Sequence, residues 1–262
     1  MQKMIKEAPK ITSKTRLLNF PWWIVIIVLT GIAIFFSIVG NTIYQDAFTW
    51  IAPGIVLTLQ VTIISYVLAV LIGLIFSLMR LSKNPVIYAF STLYVEIMRG
   101  LPMLVIILYA GFVIGPGIRD ATQGAVDPSM LWRAIVGLAM GYGAYISEVF
   151  RGGIQSIGTG QMEAARSLGM TYMQSMRLVI LPQAIRIILP PLGNDLIAML
   201  KDSSLISILA LQDTLQLGRQ FISRSFRAFE GYNTVAIIFL LMTLTLSLGV
   251  RWLEGRMETK SR

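Results

Sequence analysis

The stretch that decides the fold is GIVLTLQVTIISYVLAVLIGLIFSLM, residues 54–79, in which no residue carries a charge. A helix that crosses a bilayer needs about 20 consecutive apolar residues, and this run is longer. Arg80 and Lys83 follow it directly, which places that end in the cytoplasm, because cytoplasmic segments are enriched in basic residues. The stretch therefore predicts a membrane-spanning helix and not a strand or helix of a soluble core.

The composition of the whole chain agrees with this interpretation. Of 262 residues, 55% are hydrophobic and 13% are charged, whereas soluble domains carry about 25% charged residues. The sequence has no Cys and no His, which excludes disulfides, Cys/His metal sites and Ser-His-Asp catalysis. The net charge of +9 is explained by basic residues that flank the spans. We therefore expect a lipid bilayer around the chain and predict no nucleic-acid partner, no catalytic residues and no metal site.

Six spans are predicted, which makes the chain an all-α integral membrane protein with both termini in the cytoplasm. The spans lie at about residues 22–40, 54–79, 86–115, 131–150, 185–211 and 232–250. Gly100-Leu101-Pro102 should break the third region into a short helix and a span. The segment 1–21 carries five basic residues and is predicted to lie in the cytoplasm, and residues 255–262 form the predicted cytoplasmic tail.

The segments between the spans are assigned to the two sides by their basic residues. Residues 41–53 contain no Lys or Arg and are predicted to be an outside loop. Residues 116–128 and 212–231 are also predicted outside. Arg219, Arg224 and Arg227 fall in the last of these segments and oppose the assignment.

Residues 153–182 are too polar to span the membrane and predict two short amphipathic helices in the cytoplasm, hinged at Gly169. The segment reads Glu163-Ala164-Ala165, three residues, Gly169, nine residues, and then Val179-Ile180-Leu181-Pro182. Glycine at a hinge permits a turn that a residue with a Cβ would resist, and the two alanines allow another protein to approach closely. An amphipathic helix that lies on lipid is the alternative.

This spacing resembles the EAA motif of bacterial ABC importer permeases, in which Glu-Ala-Ala precedes Gly and then Ile-x-Leu-Pro. Val179 stands where the motif has Ile. Three other stretches are similar to the polar amino acid branch, the histidine/glutamine/arginine permease family. They are Gly54-x-x-x-Thr58-Leu59, Arg99-Gly100-x-Pro102, and Asn194-Asp195 with the later Leu200-Lys201-Asp202-Ser203-Ser204-Leu205. The resemblance covers residues 54–254.

The resemblance implies a five-helix importer core with coupling helices at residues 153–182, to which the first span and its outside loop, residues 22–53, are additions. The chain would translocate amino acids across the bacterial cytoplasmic membrane by alternating access, as a permease subunit and not an enzyme. The implied partners are two ATP-binding cassette ATPase subunits that carry ATP and Mg²⁺, a second permease subunit, identical or homologous, and an extracytoplasmic amino acid-binding protein. The chain itself has no phosphate-binding loop and needs no cofactor. The implied ATPase-coupling residues are Glu163, Ala164, Ala165, Gly169, Leu181 and Pro182.

Two acidic residues in the predicted fifth span form the candidate substrate site. Asp195 and Asp202 are seven residues apart, which places them on one helix face, and each would cost about 2.5–3.5 kcal/mol in lipid. The pair can receive an ammonium group and a cationic side chain. Met199 lies on the same face, and Ser203 either donates to a substrate carboxylate or bonds to its own helix. Ion pairs that hold the bundle together, with Lys201 neutralising Asp202, are the equally weighted alternative.

Other polar and small residues are interpreted as structural. Glu148 with Arg151, and Glu96 with Arg99, have the i,i+3 spacing of helical ion pairs. Gly137, Gly141 and Gly143 form a small-residue face that favours close helix packing, with a cavity lining as the rival interpretation.

Three functions compete with the importer subunit. A stand-alone ion-coupled carrier or channel would leave the motif at residues 153–182 unexplained. A membrane enzyme would need a cluster of catalytic groups. A purely structural subunit would have no need for Asp195 and Asp202 together.

Overall fold

The computed structural model describes Gly31 and residues 40–257, and from residue 40 onward this part of the chain is helical without a β-strand. The predicted cytoplasmic N-terminus and nearly all of the predicted first span, as well as residues 258–262 of the tail, lie outside the described residues. The helices begin with α1 (Thr42–Ile51), α2 (Gly54–Arg80), α3 (Pro85–Gly100) and α4 (Met103–Tyr109), which continues through a π-helical turn (Ala110–Ile114) into α5 (Gly115–Ala121).

The second half of the chain begins with the long helix α6 (Met130–Gln155), followed by α7 (Thr159–Ser167) and α8 (Tyr172–Ser175). A π-helical turn (Met176–Ile180) joins α8 to α9 (Leu181–Asp202), and a 3₁₀ turn (Ser203–Leu209) follows. The last two helices are α10 (Thr214–Ser225) and α11 (Ala228–Met257).

Four helical stretches in the described residues are long and apolar enough to cross a membrane. They are Thr42–Arg80, Met103–Ala121, Tyr172–Leu209 and Ala228–Arg256. Helix α6 has 26 residues, which is long enough, but its glycines, tyrosines and charged residues make it less apolar than these four. An all-helical protein with several apolar spans is therefore confirmed, and the count of six remains a prediction.

Sequence signals account for several helix boundaries. The Asn84 side chain accepts hydrogen bonds from the backbone N–H groups of Val86 and Ile87, and Pro85 occupies the first helical position, where its missing N–H costs nothing. The predicted break is confirmed, because α3 ends at Gly100 and α4 begins after Pro102.

Four predicted segment boundaries are wrong. Residues 41–53 and 212–231 contain the helices α1 and α10 and not only loop, and residues 116–121 continue the preceding helix. The second short amphipathic helix of the segment 153–182 runs without interruption into the long helix α9. The Leu181 N–H reaches the Met176 carbonyl in the widened turn, so the helix continues past Pro182, which cannot donate a hydrogen bond of its own.

The core centres on α2 and α6, where glycines allow the helices to approach closely. A Cβ added at Gly143 would lie 2.6 Å from the Ile72 side chain, and one at Gly141 would lie 2.6 Å from Met103. A Cβ at Gly137 would lie 3.0 Å from Ala110. The packing interpretation of this small-residue face holds, and its partners are helices of the same chain.

A cluster of ion pairs joins the ends of α2, α3 and α6. Glu148 pairs with Arg151 at 2.6 Å, as predicted, and also with Arg80. Arg99 lies 3.6 Å from Glu148, so its predicted pairing with Glu96 is wrong. The physical reason is that the last turn of α3 packs against α6, which brings Arg99 to the larger cluster.

Candidate functional site

Asp195 lies in the middle of α9, in a part of the helix that packs against α2 and α6. Its side chain is half-buried. Its Oδ2 atom is buried and has no hydrogen-bond partner among residues 40–257. A buried polar atom without a partner is expensive, since it has lost water and gained nothing. Among the described residues, this oxygen therefore keeps an uncompensated cost of desolvation.

Asp202 is the last residue of α9 and has a defined partner. Its Oδ2 accepts a hydrogen bond of 2.8 Å from the Tyr142 hydroxyl of α6. Tyr142 also lies within electrostatic reach of Asp195, as does Tyr66 of α2, whose hydroxyl donates to the Leu192 carbonyl at 2.8 Å. We call Asp195, Asp202 and Tyr142 the acidic site.

Within residues 40–257, no Lys or Arg forms an ion pair with either acid of this site. The Lys201 side chain is exposed. The alternative in which Lys201 neutralises Asp202 therefore gains no support from the geometry. Among the described residues, the two carboxylates therefore have no cationic partner.

Met199 and Ser203 are placed differently from the two acids. Met199 is fully buried in an apolar cluster with Ala69 and Ile146. Ser203 is also fully buried, and its hydroxyl donates to the Leu200 carbonyl at 2.7 Å. Of the two interpretations open for Ser203, the bond to its own helix is the one that the structure contains.

Tyr142 and Tyr66 were missed by the sequence analysis. Both come from helices far away in sequence, and nothing local marks them as neighbours of α9. The available signal was a polar-tipped aromatic residue within an otherwise largely apolar span, since a buried Tyr hydroxyl needs a hydrogen-bond partner.

The second candidate region is the turn between α7 and α8. Gly169 has φ +83°, in the left-handed region. Its N–H donates to the Arg166 carbonyl at 3.0 Å, and the Met170 N–H donates to the Ala165 carbonyl at 3.3 Å. These two bonds form the Schellman ending of a helix, so the spacing from Glu-Ala-Ala to glycine fixes where α7 stops.

The next helix starts immediately after this ending. The Thr171 side chain accepts from the Gln174 N–H at 3.3 Å, and the Gln174 side chain accepts from the Thr171 N–H at 2.8 Å. This reciprocal capping box makes the connection short and stiff. Of the predicted coupling residues, Ala165 is buried and the others are exposed: Glu163, Ala164, Gly169, Leu181 and Pro182.

Apolar side chains surround this turn on its exposed side. Leu168 is 82% exposed, Met173 is 70% exposed and Tyr172 is 58% exposed. These three side chains form an exposed apolar surface beside the turn.

A third feature is the joint between α2 and α10, formed by Gly54, Thr58, Asp213 and Thr214. The Thr58 hydroxyl lies 2.9 Å from that of Thr214 and accepts from the Thr214 N–H at 3.2 Å. A Cβ at Gly54 would lie 2.6 Å from the Thr214 backbone nitrogen, so only glycine permits this approach. The stretch Gly54-x-x-x-Thr58 therefore holds α10 against the start of α2.

Asp213 caps α10 from within this joint. It is fully buried, and its carboxylate accepts from the backbone N–H groups of Leu215 and Gln216 at 3.2 and 3.0 Å. Burial raises the pKa of Asp213 to about 6, against the opposing effect of these two donors and of Arg219.

Residues 69–259 match the family model described as "Binding-protein-dependent transport system inner membrane component". The chain belongs to this family. It is 32% identical to the arginine transport system permease protein ArgU of Corynebacterium glutamicum, over 91% of this chain and 81% of that protein. It is 36% identical to the probable glutamine ABC transporter permease protein GlnM of Bacillus subtilis, over 83% of this chain and 97% of that protein.

Solved structures of transporters share the fold. The crystal structure of an amino acid ABC transporter with histidines matches at 36% identity and a TM-score of 0.73, over 81% of this chain and 96% of that chain. A chain of the inward-facing methionine ABC transporter MetNI matches at 22% identity and a TM-score of 0.68, which supports the fold alone.

These matches confirm the predicted family and the predicted role. The chain is a permease subunit of a binding-protein-dependent importer and a multi-pass protein of the inner membrane. It is a permease and not an enzyme.

Proposed function

We propose that this permease imports amino acids by alternating access, and that cationic amino acids are its preferred class. The observation that carries the proposal is the buried Oδ2 atom of Asp195, which has no hydrogen-bond partner among the described residues, together with the Tyr142–Asp202 pair. The relatives named for arginine and glutamine transport support the choice of amino acids as the substrate class.

The acidic site supplies the chemistry that such a substrate needs. The α-ammonium group of the amino acid would meet the free carboxylate oxygen of Asp195, where a charge-assisted hydrogen bond replaces the missing partner. A cationic side chain would meet Asp202, which the Tyr142 hydroxyl holds in place. We assign Met199 and Ser203 to the packing that positions the acids, since both are fully buried.

The proposed complex drives this site from the cytoplasm. Two ATP-binding cassette ATPase subunits would hold ATP and Mg²⁺, a second permease copy or homologue would complete the pathway, and an extracytoplasmic binding protein would deliver the amino acid. The exposed apolar residues around Gly169 support docking of an ATPase on α7 and the following turn, residues 153–182. The stiff connection between α7 and α8 suits the transmission of a rigid-body motion into α9.

The proposed topology has six spans and two cytoplasmic termini, with residues 22–40 as an added first span, residues 54–254 as the importer core and residues 255–262 as the tail. Single cysteines test it cleanly, because the chain has none. Asp46→Cys should react with a membrane-impermeant thiol reagent in intact cells, and Gln161→Cys should react only after lysis. The reverse pattern would refute this orientation.

Transport in proteoliposomes tests the function itself. The permease, ATPase subunits and a binding protein are reconstituted, and uptake is measured across arginine, lysine, histidine, glutamine and glutamate. We expect ATP-dependent uptake with preference for the cationic members. Uptake driven by an ion gradient without ATP would favour the stand-alone carrier, and exclusive uptake of acidic amino acids would refute the role of the acidic site.

A further inference from the structure

An apolar groove runs along the surface of the bundle between α6 and the continuous stretch of α4 and α5. It has a volume of about 320 Å³, and of the fifteen described residues that line it only Arg133 is charged. Its floor contains the small residues Ala110 and Gly137, and a Cβ added to this glycine would lie 3.0 Å from the alanine side chain. Small residues on the floor and large ones at the sides leave this depression, which we call the α4–α6 groove.

The groove is open along its length. Its wall residues Tyr109, Ile114 and Trp132 are each more than half exposed in the described chain. One side of the groove belongs to the apolar span Met103–Ala121, and the hydrocarbon region of a bilayer holds no water. An empty groove there would forfeit the dispersion contacts of its lining, so an apolar group from outside the described chain is needed to fill it.

The shape of the groove favours an acyl chain over a further helix. Close packing of membrane helices uses small residues at the contact, but here the small residues lie on the floor and the rim carries bulky side chains such as Ile114 and Trp132. The lining extends along α4 and α5 from Ile106 to Ile118, a length of about 18 Å. One leaflet supplies about 15 Å of hydrocarbon, half of the bilayer core, so a single acyl chain matches this length.

Charged residues of both signs lie at the end of the groove next to the start of α6. The Arg133 guanidinium donates to the Pro128 and Gly111 carbonyls at 2.8 and 3.0 Å. It also donates to Asp127 at 2.8 Å, so it is held within the chain. The Arg119 Nε atom lies 3.8 Å from Asp127 Oδ2, which is beyond hydrogen-bond reach. Because Arg119 is exposed and Asp127 half-exposed, this end offers one accessible guanidinium and one accessible carboxylate.

We propose that the α4–α6 groove binds one acyl chain of a zwitterionic phospholipid of the phosphatidylethanolamine type. Its phosphate meets Arg119 in a charge-assisted hydrogen bond, and its ammonium group meets Asp127. Trp132 lies at the same end, and tryptophan favours the membrane–water boundary where headgroups lie. Segments that select anionic lipids carry about 4–8 Lys or Arg, whereas charges of both signs suit a headgroup that carries both. The inference needs only the membrane-spanning fold and is independent of the proposed substrate.

Native mass spectrometry of the assembled transporter tests the site. The complex is stripped of lipid in detergent and titrated with palmitoyl-oleoyl phosphatidylethanolamine, and Kd is determined for the tightest binding step. Ile114→Trp places a larger side chain in the groove and should raise this Kd by about tenfold or more. Val113→Trp is the matched control, because Val113 is similarly exposed but does not line the groove, and it should leave Kd unchanged.

The headgroup contact is tested in the same titration. The unsubstituted complex should bind phosphatidylethanolamine more tightly than phosphatidylglycerol with the same chains. Arg119→Gln should weaken the binding of both lipids, because each has a phosphate. Equal affinity for the two lipids, with no effect of Arg119→Gln, would overturn the proposal, since the groove would then hold any chain without recognising the lipid.

An unchanged Kd in the assembled Ile114→Trp complex would also overturn the proposal. So would release of a permease subunit from the complex in Ile114→Trp but not in Val113→Trp, because that result assigns the groove to contact with a second permease copy. Val136→Phe, on the α6 side of the groove, takes the place of Ile114→Trp if that variant is not produced, and the same outcomes decide. Basal ATPase activity checks assembly of each variant.

Discussion

Replacing Asp195 by Asn removes one charge from the acidic site and keeps the shape of the side chain. A hydrogen bond to a charged partner contributes about 1.5–3 kcal/mol. At about 1.4 kcal/mol per factor of ten, losing it should weaken the binding of arginine to the translocation pathway roughly 10- to 150-fold. The free carboxylate oxygen has no partner in the described chain, so its loss should not destabilise the fold. Asp195→Asn should therefore impair uptake while the melting temperature stays the same or rises.

The assay combines concentration-dependent arginine uptake in proteoliposomes with thermal unfolding of the same preparation. Asp202→Asn and Tyr142→Phe are the matched variants, because both act on the 2.8 Å bond at the other end of the site. We expect Asp202→Asn to reduce uptake of arginine and lysine more than uptake of glutamine. A lower melting temperature for Asp195→Asn, with equal loss for every amino acid, would refute the substrate site and favour a structural role.

Three further variants test the turn between α7 and α8 and the joint between α2 and α10. Gly169→Asp forces a non-glycine residue to φ +83°, at about 1–2 kcal/mol. It should abolish transport and weaken co-purification of the ATPase without preventing membrane insertion, and normal transport would contradict docking at this turn. Gly54→Val places a side chain 2.6 Å from the Thr214 backbone and should lower the melting temperature by several degrees, whereas Gly100→Val, at an open position, should lower it less. Asp213→Asn retains the helix cap but cannot ionise. The unsubstituted Asp213 is charged in its buried position only above about pH 6, and this buried charge lowers stability. The gain in melting temperature of Asp213→Asn over the unsubstituted protein should therefore be larger at pH 8 than at pH 5. An equal gain at both pH values would argue against this titration.

The parts of the fold that local chemistry determines could be predicted from the sequence. The uncharged run at residues 54–79 became α2, and Gly100 and Pro102 ended α3 and opened α4. Gly169 adopted a positive φ. In each case the cause lies in one continuous stretch of the chain, so a single sequence is sufficient.

Most of the predictions that failed concern features that depend on tertiary contacts. The cytoplasmic segment was predicted to end at Pro182 and a separate span to begin near residue 185, but the π-helical turn before Pro182 lets one helix continue from Tyr172 to Asp202. Arg99 was assigned to Glu96 by spacing, although packing of α3 on α6 brings it to Glu148. Helix α10 was missed even though Asp213 is a strong N-cap residue.

The candidate site also has a part that the sequence could predict and a part that it could not. The shared face of Asp195 and Asp202 follows from helical spacing. The Tyr142 bond to Asp202 joins residues 60 positions apart in sequence, and no pattern in one sequence reveals such a contact. The burial of Met199 likewise depends on how α9 packs against its neighbours.

Helix α2 is held by side-chain contacts at both of its ends, so it acts as a rigid element between them. Its 27 residues span about 40 Å, from the glycine–threonine joint with α10 to Arg80, which bonds to Glu148. A helix backbone of this length resists stretching, so a displacement of α10 must reappear as a tilt at Arg80 or break the joint. The Arg80 side chain is only 9% exposed there, and leaving its partner would strand a buried charge. The Arg80 end should therefore change in discrete steps between ion-paired arrangements and not by gradual drift. A small displacement of α10 would then leave the Arg80–Glu148 pair intact, and only a larger one would be transmitted along the whole length of α2.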